Sequence, residues 1–329
     1  VVPRSVADLY AAQQRRTAAA ILAARGEWSK LSKPDDFGRI ANRLLALVMS
    51  AQLGSARDGA AMVPAALAET GYPERSLARV NPSAFAGWAS DGRSLESLLW
   101  LTPSIAQDAG MQIPVQMAAG QNFLDLLLQR QISDAGRGAA GVAITATRNT
   151  GWVRYVNPPC CQRCAILAGR VYRFSHGFQR HFRCDCQMRP VSDREPPDGY
   201  TETVSLDQIH DLTDAQRRAV EDGADLNQVV NAYRERMSGR DKMMTTTEGT
   251  TRRGWASHVR RSIDTERGTA TVETVARSHG TRNVARTPRR LTPEAIYQQA
   301  GDDRQKAIRL LTENGYLVGD LRSLARSVA

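Results

Sequence analysis

All five cysteines of this 329-residue chain, Cys160, Cys161, Cys164, Cys184 and Cys186, fall in one short window, and His181 stands three residues before Cys184. The chain must bring the two halves of that window together. Clustered thiols in a reducing cytosol are metal ligands more often than disulfides, and an odd count leaves a thiol over in a disulfide framework. Zinc takes four soft or borderline ligands in a tetrahedron, and a C-x-x-C knuckle supplies two because its turn points both sulfurs to one side. Cys161 and Cys164 form such a knuckle, and His181 and Cys184 repeat its two-residue spacing. The first expected ligand set is therefore Cys161, Cys164, His181 and Cys184. Cys186 in place of His181 gives an all-cysteine alternative, since thiolates bind zinc well. Which of these five groups stays out is open at this level. Cys160 lies beside a ligand but outside the repeat, which makes it the expected spare.

A closed, structural zinc centre fits this cluster better than a catalytic one. Catalytic zinc keeps an open position and usually a nearby carboxylate base. Asp185 is the sole acid between Cys160 and Cys186, and it stands between two candidate ligands. The chain contains no H-E-x-x-H, G-x-S-x-G or P-loop signature, so protease, esterase and nucleotide-hydrolase readings lose their best support. Gly136-Arg137-Gly138-Ala139-Ala140-Gly141 has G-x-G-x-x-G form, but it follows a helical pattern rather than a strand, with no acid about 20 residues on. It reads as a flexible connection between domains. No catalytic residue and no organic-cofactor residue is expected.

Around the cluster the chain is expected to be mostly α. Aromatics are 6% of residues and alanine is plentiful, which points to helices rather than sandwiches or barrels. Residues 1–135 read as a helical domain. Val6, Leu9, Tyr10, Ile21 and Leu22 share a face of the first helix. Phe37, Ile40, Ala41, Leu44, Leu47, Val48 and Ala51 make the best amphipathic stripe, after Pro34-Asp35, and Leu124, Leu127, Leu128 and Ile132 mark a later helix. Residues 145–192 form a small α+β module, with strands expected over 151–156 and 169–174. Thr213 to Gln216 has capping-box form and opens a helical hairpin within 200–244. Residues 291–329 give a second hairpin, with Pro293 in its first turn and Gly315 at its stop.

Between the hairpins, residues 245–290 carry a strong charge bias. The chain's net charge is +10, and from Arg252 to Arg290 ten arginines stand against three acids, so seven of those charges lie there. With few apolar residues, the stretch is expected to be an extended basic arm that orders on a partner. Arg252, Arg253, Arg260, Arg261, Arg289 and Arg290 are its candidate nucleic-acid contacts. Phosphate contacts of this kind are sequence-independent and salt-sensitive. Val1-Val2-Pro3-Arg4-Ser5 lacks the apolar core of a signal peptide, and no run approaches the ~18 apolar residues of a membrane span. Synthesis in the cytosol, with no membrane partner, is the expectation.

Residues 157–170, from Asn157 through Cys161 and Cys164 to Leu167-Ala168-Gly169-Arg170, then 177–186 with His181, Cys184 and Cys186, and Pro190-Val191, resemble the cysteine/histidine module of MuF-like phage minor head proteins, in the form seen in phages of actinobacteria. Thr247 to Gly254 and Arg290 to Tyr297 are similar to tail segments of the same group, so the resemblance spans roughly 151–316. Phe182 departs from the pattern, in which proline often follows the histidine. The resemblance implies a virion protein of the capsid interior, assembled in the host cytoplasm. It implies binding to the portal oligomer, with major capsid or scaffold proteins and packaged DNA as further partners, and a role in head assembly, DNA packaging or ejection. Residues 1–135 would then face the portal, and no enzymatic activity is implied. Two alternatives are a metal-dependent nuclease using His176 or His181, and a zinc-containing DNA-binding regulator.

Overall fold

Val6, Leu9, Gln13, Thr17, Ala20, Ala24 and Trp28 recur at intervals of three and four residues and form the buried stripe of α1 (Arg4–Trp28). They do so in a computed structural model that describes residues 2–178, 180, 184–197, 204–231, 259–264, 269–278 and 281–318, with 259–289 described by their backbone. Leu22, expected on the inner face, is 73% exposed. Between Leu9 and Trp28 the stripe runs through the small and polar residues Gln13, Thr17, Ala20 and Ala24, so large apolar residues mark only its ends.

Pro34–Arg39 is a short 3-10 turn, and α2 (Ala41–Glu69) begins after it, with Leu44, Val48 and Ala51 buried as their spacing predicts. A two-residue strand β1 (Arg79–Val80) and two short helices, α3 (Leu95–Leu99) and α4 (Leu101–Asp108), lead into the long α5 (Ile113–Ala146). The Ser94 hydroxyl accepts from the Ser97 N–H and caps α3.

The glycine run at 136–141 is not a connection. It lies inside α5, where Gly136, Arg137, Ala139, Ala140 and Gly141 are all buried. A Cβ on Gly59 of α2 would collide with the Gly136 carbonyl, so the two helices cross with their backbones in contact. Small residues serve close approach here, and α5 runs on through residue 135.

Past α5 the chain builds a three-stranded antiparallel sheet in the order β3-β2-β4, from β2 (Thr150–Tyr155), β3 (Val171–Tyr172) and β4 (Gln187–Ser192), with the short helix α6 (Gln162–Ala165) between β2 and β3. Trp152 of β2 faces both Tyr172 and Pro190 in the register, and its ring stacks on Tyr172 at 4.2 Å. α7 (Asp214–Glu221) carries the expected capping box, with Thr213 and Gln216 bonding reciprocally. α8 is helical from 226 to 231.

Within the expected arm, β5 (Val259–Asp264), β6 (Thr269–Ser278) and β7 (Thr281–Arg290) pair as an antiparallel sheet in the order β5-β6-β7. The single extended segment expected there is thus a meander. The β-branched Thr and Val residues of 269–275 suit a pleated strand. The hairpin α9 (Pro293–Ala300) and α10 (Arg304–Glu313) follows, and Gly315 adopts φ +73° at its stop. The final strand β8 (Leu317–Val318) returns to pair antiparallel with β1.

Three apolar clusters hold these parts together, and two of them cross the expected domain limits. One joins Val6, Met62, Val63 and Ile144 to Trp152, Cys164, Cys186, Ala300 and Ala307. Another joins Phe85, Ala139 and Val142 to Ile296, Tyr297, Ile308 and Leu311. The segments 1–135, 145–192 and 291–318 therefore share cores. The chain is mostly helical, and among the described residues no helix is long and apolar enough to cross a membrane.

Candidate metal centre

The first half of the site is a knuckle. Cys161 is the N-cap of α6 in extended conformation, and its Sγ accepts from the Cys164 N–H at 3.4 Å. That bond turns the chain so that Cys164, one helical turn on, points inward. Gly169 at φ +69° then reverses the backbone, and its N–H donates to the Arg154 carbonyl on β2. Left-handed backbone of this kind favours glycine. The second half, Cys184-Asp185-Cys186, runs directly into β4, so the β2–β4 ladder fixes its position relative to the knuckle.

The sulfurs of Cys164, Cys184 and Cys186 all lie within 4.8 Å of one another, with Cys164 and Cys184 at 3.9 Å. Sulfurs around a tetrahedral zinc at ~2.3 Å stand about 3.8 Å apart, whereas a disulfide needs ~2.05 Å. All five cysteines are free thiols. The three clustered residues are 3%, 9% and 0% exposed. This buried trio could hold a metal ion.

Cys186, the sequence alternative, thus lies with Cys164 and Cys184. Cys161 is half-buried, outside the trio but bonded onto it through Cys164. His181 lies outside the described residues. Cys160, the expected spare, is also outside the trio. Its N–H donates to the Gln208 carbonyl and its carbonyl accepts from the His210 N–H, so its backbone anchors the segment before α7. Burial, then the nearby Cys161, Asp185 and Asp211, pushes its thiol up to about 12.

Charge around the trio is positive and buried. Hydrogen bonds from the neighbouring thiols of Cys164 and Cys186 hold Cys184 well below the usual thiol range, and Arg137 and Arg154 add to the effect. Arg137 and Arg154 are 4% and 2% exposed. The Arg154 guanidinium also stacks 4.2 Å over the Phe178 ring.

Each residue of the 184–187 turn is tied to a helix. Arg137 Nη2 donates to the Cys184 carbonyl at 2.5 Å and Nε to the Cys186 carbonyl at 2.8 Å. Tyr10 Oη donates to Asp185 Oδ2 at 3.0 Å, and Gln187 donates to Gln13 Oε1 at 2.6 Å. Burial, then the Asp185 charge, raises the Tyr10 hydroxyl to about 12, so it remains a donor.

The chain matches no protein-family model, no curated protein and no solved structure. Local geometry and chemistry therefore carry the reading of the centre.

The other candidates divide. Arg252 and Arg253 lie outside the described residues. Arg260 pairs with Glu273 and Arg261 with Val272, while Arg289 pairs with Ala270 and Arg290 with Thr269. Arg290 is engaged within the fold. Its guanidinium donates to the Ala84 and Asn314 carbonyls and sits 4.2 Å over Tyr316. His176 is exposed, and its carbonyl accepts from the Trp152 indole N–H.

Arg137, Arg154, Tyr10 and Gln13 were not legible as site residues. Arg137 sits in the glycine run that reads as a connection, and Tyr10 and Gln13 are about 170 residues away in sequence. An arginine continuing a buried helical period past Ile132 was the one available signal.

Proposed function

We propose that the chain is a structural minor head protein of the MuF-like type, bound to the portal inside a phage capsid, with a zinc ion closing a staple between its sheet and its helical body. The observation that carries the structural reading is the tying of residues 184–187 to α1 and α5 around three cysteines at most 9% exposed. A reacting metal must be reached by substrate, and a nuclease metal by a polymer. These sulfurs are covered, and Asp185 is engaged by Tyr10. That weighs against the nuclease reading.

Zinc fits the donor set, because soft thiolates select it and the 3.9 Å sulfur separation suits tetrahedral ligation. Cys164, Cys184 and Cys186 supply three ligands. The fourth is Cys161, whose sulfur is already drawn onto the knuckle by the Cys164 N–H. Bound there, zinc would act as a closed structural crosslink. Retention of zinc in Cys161→Ser together with its loss in His181→Ala would reassign the fourth ligand to His181.

The phage assignment rests on the wording around the cysteines and in 247–254 and 290–297. The helical surface would meet the portal ring, and the arginine-rich meander would meet packaged DNA without sequence preference. Copurification tests this. Tagged chain should copurify with portal and be present in purified virions. Absence from virions, with binding to neither portal nor capsid protein, would refute it.

A further inference from the structure

Arg137 is a charge inside the long helix α5, 4% exposed, and ligation by the sulfurs does not by itself call for it. Burying a guanidinium is costly unless all its donors are engaged. Its donors are spent on three acceptors: the Cys184 carbonyl, the Cys186 carbonyl and Asp134 Oδ1 at 3.1 Å. Asp134 is braced in turn, since its other oxygen accepts from Arg180. The two carbonyls belong to the residues whose sulfurs converge on Cys164. A guanidinium holding both sets the pitch of the Cys184-Asp185-Cys186 turn, and with it the direction of both Cβ–Sγ bonds. Three or more thiolates around a divalent ion also leave net negative charge, which a buried cation offsets in a low-dielectric interior.

We propose that Arg137, braced by Asp134, is the positioning residue of the metal centre, aiming Cys184 and Cys186 at a shared divalent cation and compensating their charge. This rests on the metal reading of the trio. A lysine would keep the charge and one contact but lacks the planar fork that spans two carbonyls.

The test uses the full chain as wild type, Arg137→Gln, Arg137→Lys and a control, Arg194→Gln. The control breaks the ion pair of the exposed Arg194 side chain with the largely buried Glu74 carboxylate, beyond the far end of β4. Zinc affinity is read by competition with a chromophoric chelator, ligand geometry by the thiolate-to-cobalt absorption of Co2+-loaded protein, and folding by far-UV circular dichroism. Arg137→Gln should bind zinc about 10- to 100-fold more weakly, the usual cost of losing an outer partner, with an altered cobalt band. Arg137→Lys should fall between, and Arg194→Gln should match wild type in both. Wild-type affinity and cobalt band in Arg137→Gln would overturn the positioning role alone. Absence of metal in the wild type would overturn the metal reading and this inference with it. Should Arg137→Gln not fold, Arg137→Lys decides by the same readouts, with weakened affinity supporting the role and unchanged affinity overturning it.

Discussion

At the scale of single residues, two neighbouring cysteines have opposite duties. Cys160 is buried and its backbone bridges to Ile209, while Cys164, four residues on, joins the sulfur trio. Cys160→Ser should therefore leave metal content at the wild-type level, whereas Cys186→Ser should remove most of it; elemental analysis of both purified variants reads the difference. Glu74 makes a second residue-scale case. Burial pushes its carboxyl up, but hydrogen bonds from Ser192 and Arg194 outweigh that and hold it below the ordinary carboxylate range. A depressed carboxylate stabilises the fold above its unfolded pKa and loses that contribution as pH falls through the folded one. Urea titrations at descending pH should show Glu74→Gln less stable than wild type near neutrality, with the gap closing in acid. A constant gap would refute the assignment. The knuckle spacing was readable because ligands must recur at fixed intervals. Arg137 and Glu74 were not, because their partners come from remote segments.

At the scale of elements, the α2–α5 crossing turns on glycine. Gly59→Ala should destabilise by about 1–3 kcal/mol or more, because a methyl group must displace the Gly136 carbonyl. Gly26 of α1 has nothing within 4 Å of its would-be Cβ, so Gly26→Ala should stabilise by about 0.5–1 kcal/mol. Thermal melts of the pair should move in opposite directions. The same contrast explains what was legible. Amphipathic periodicity marked α2 and α5 because their stripes contain Leu and Val. A glycine run looks alike whether it loosens a linker or lets two backbones touch. β4 was missed because it follows the cysteines without a break and contains Arg189 and Pro190, and Arg189 is buried against Glu195 at 2.7 Å.

At the scale of the whole molecule, the cysteine window is where the sheet, α1, α5 and the C-terminal hairpin share a core. The window itself was plain from spacing, and so was the helical character of the chain. That the window would be built into the body, rather than hang as a module between domains, was not plain, since shared cores arise from contacts more than a hundred residues apart. A ligand that binds only the folded state stabilises all of it, by about 2.7 kcal/mol at a concentration 100-fold above its Kd. Metal loss should therefore be felt well beyond residues 161–186. The most direct test is elemental analysis of the purified full chain, paired with thermal melts followed by helical circular dichroism before and after chelation under reducing conditions. One zinc per chain, and a lowered melting temperature of the helical signal when it is removed, is the expected result. A metal-free protein, or one whose helical melt is unchanged by removing the metal, would contradict it.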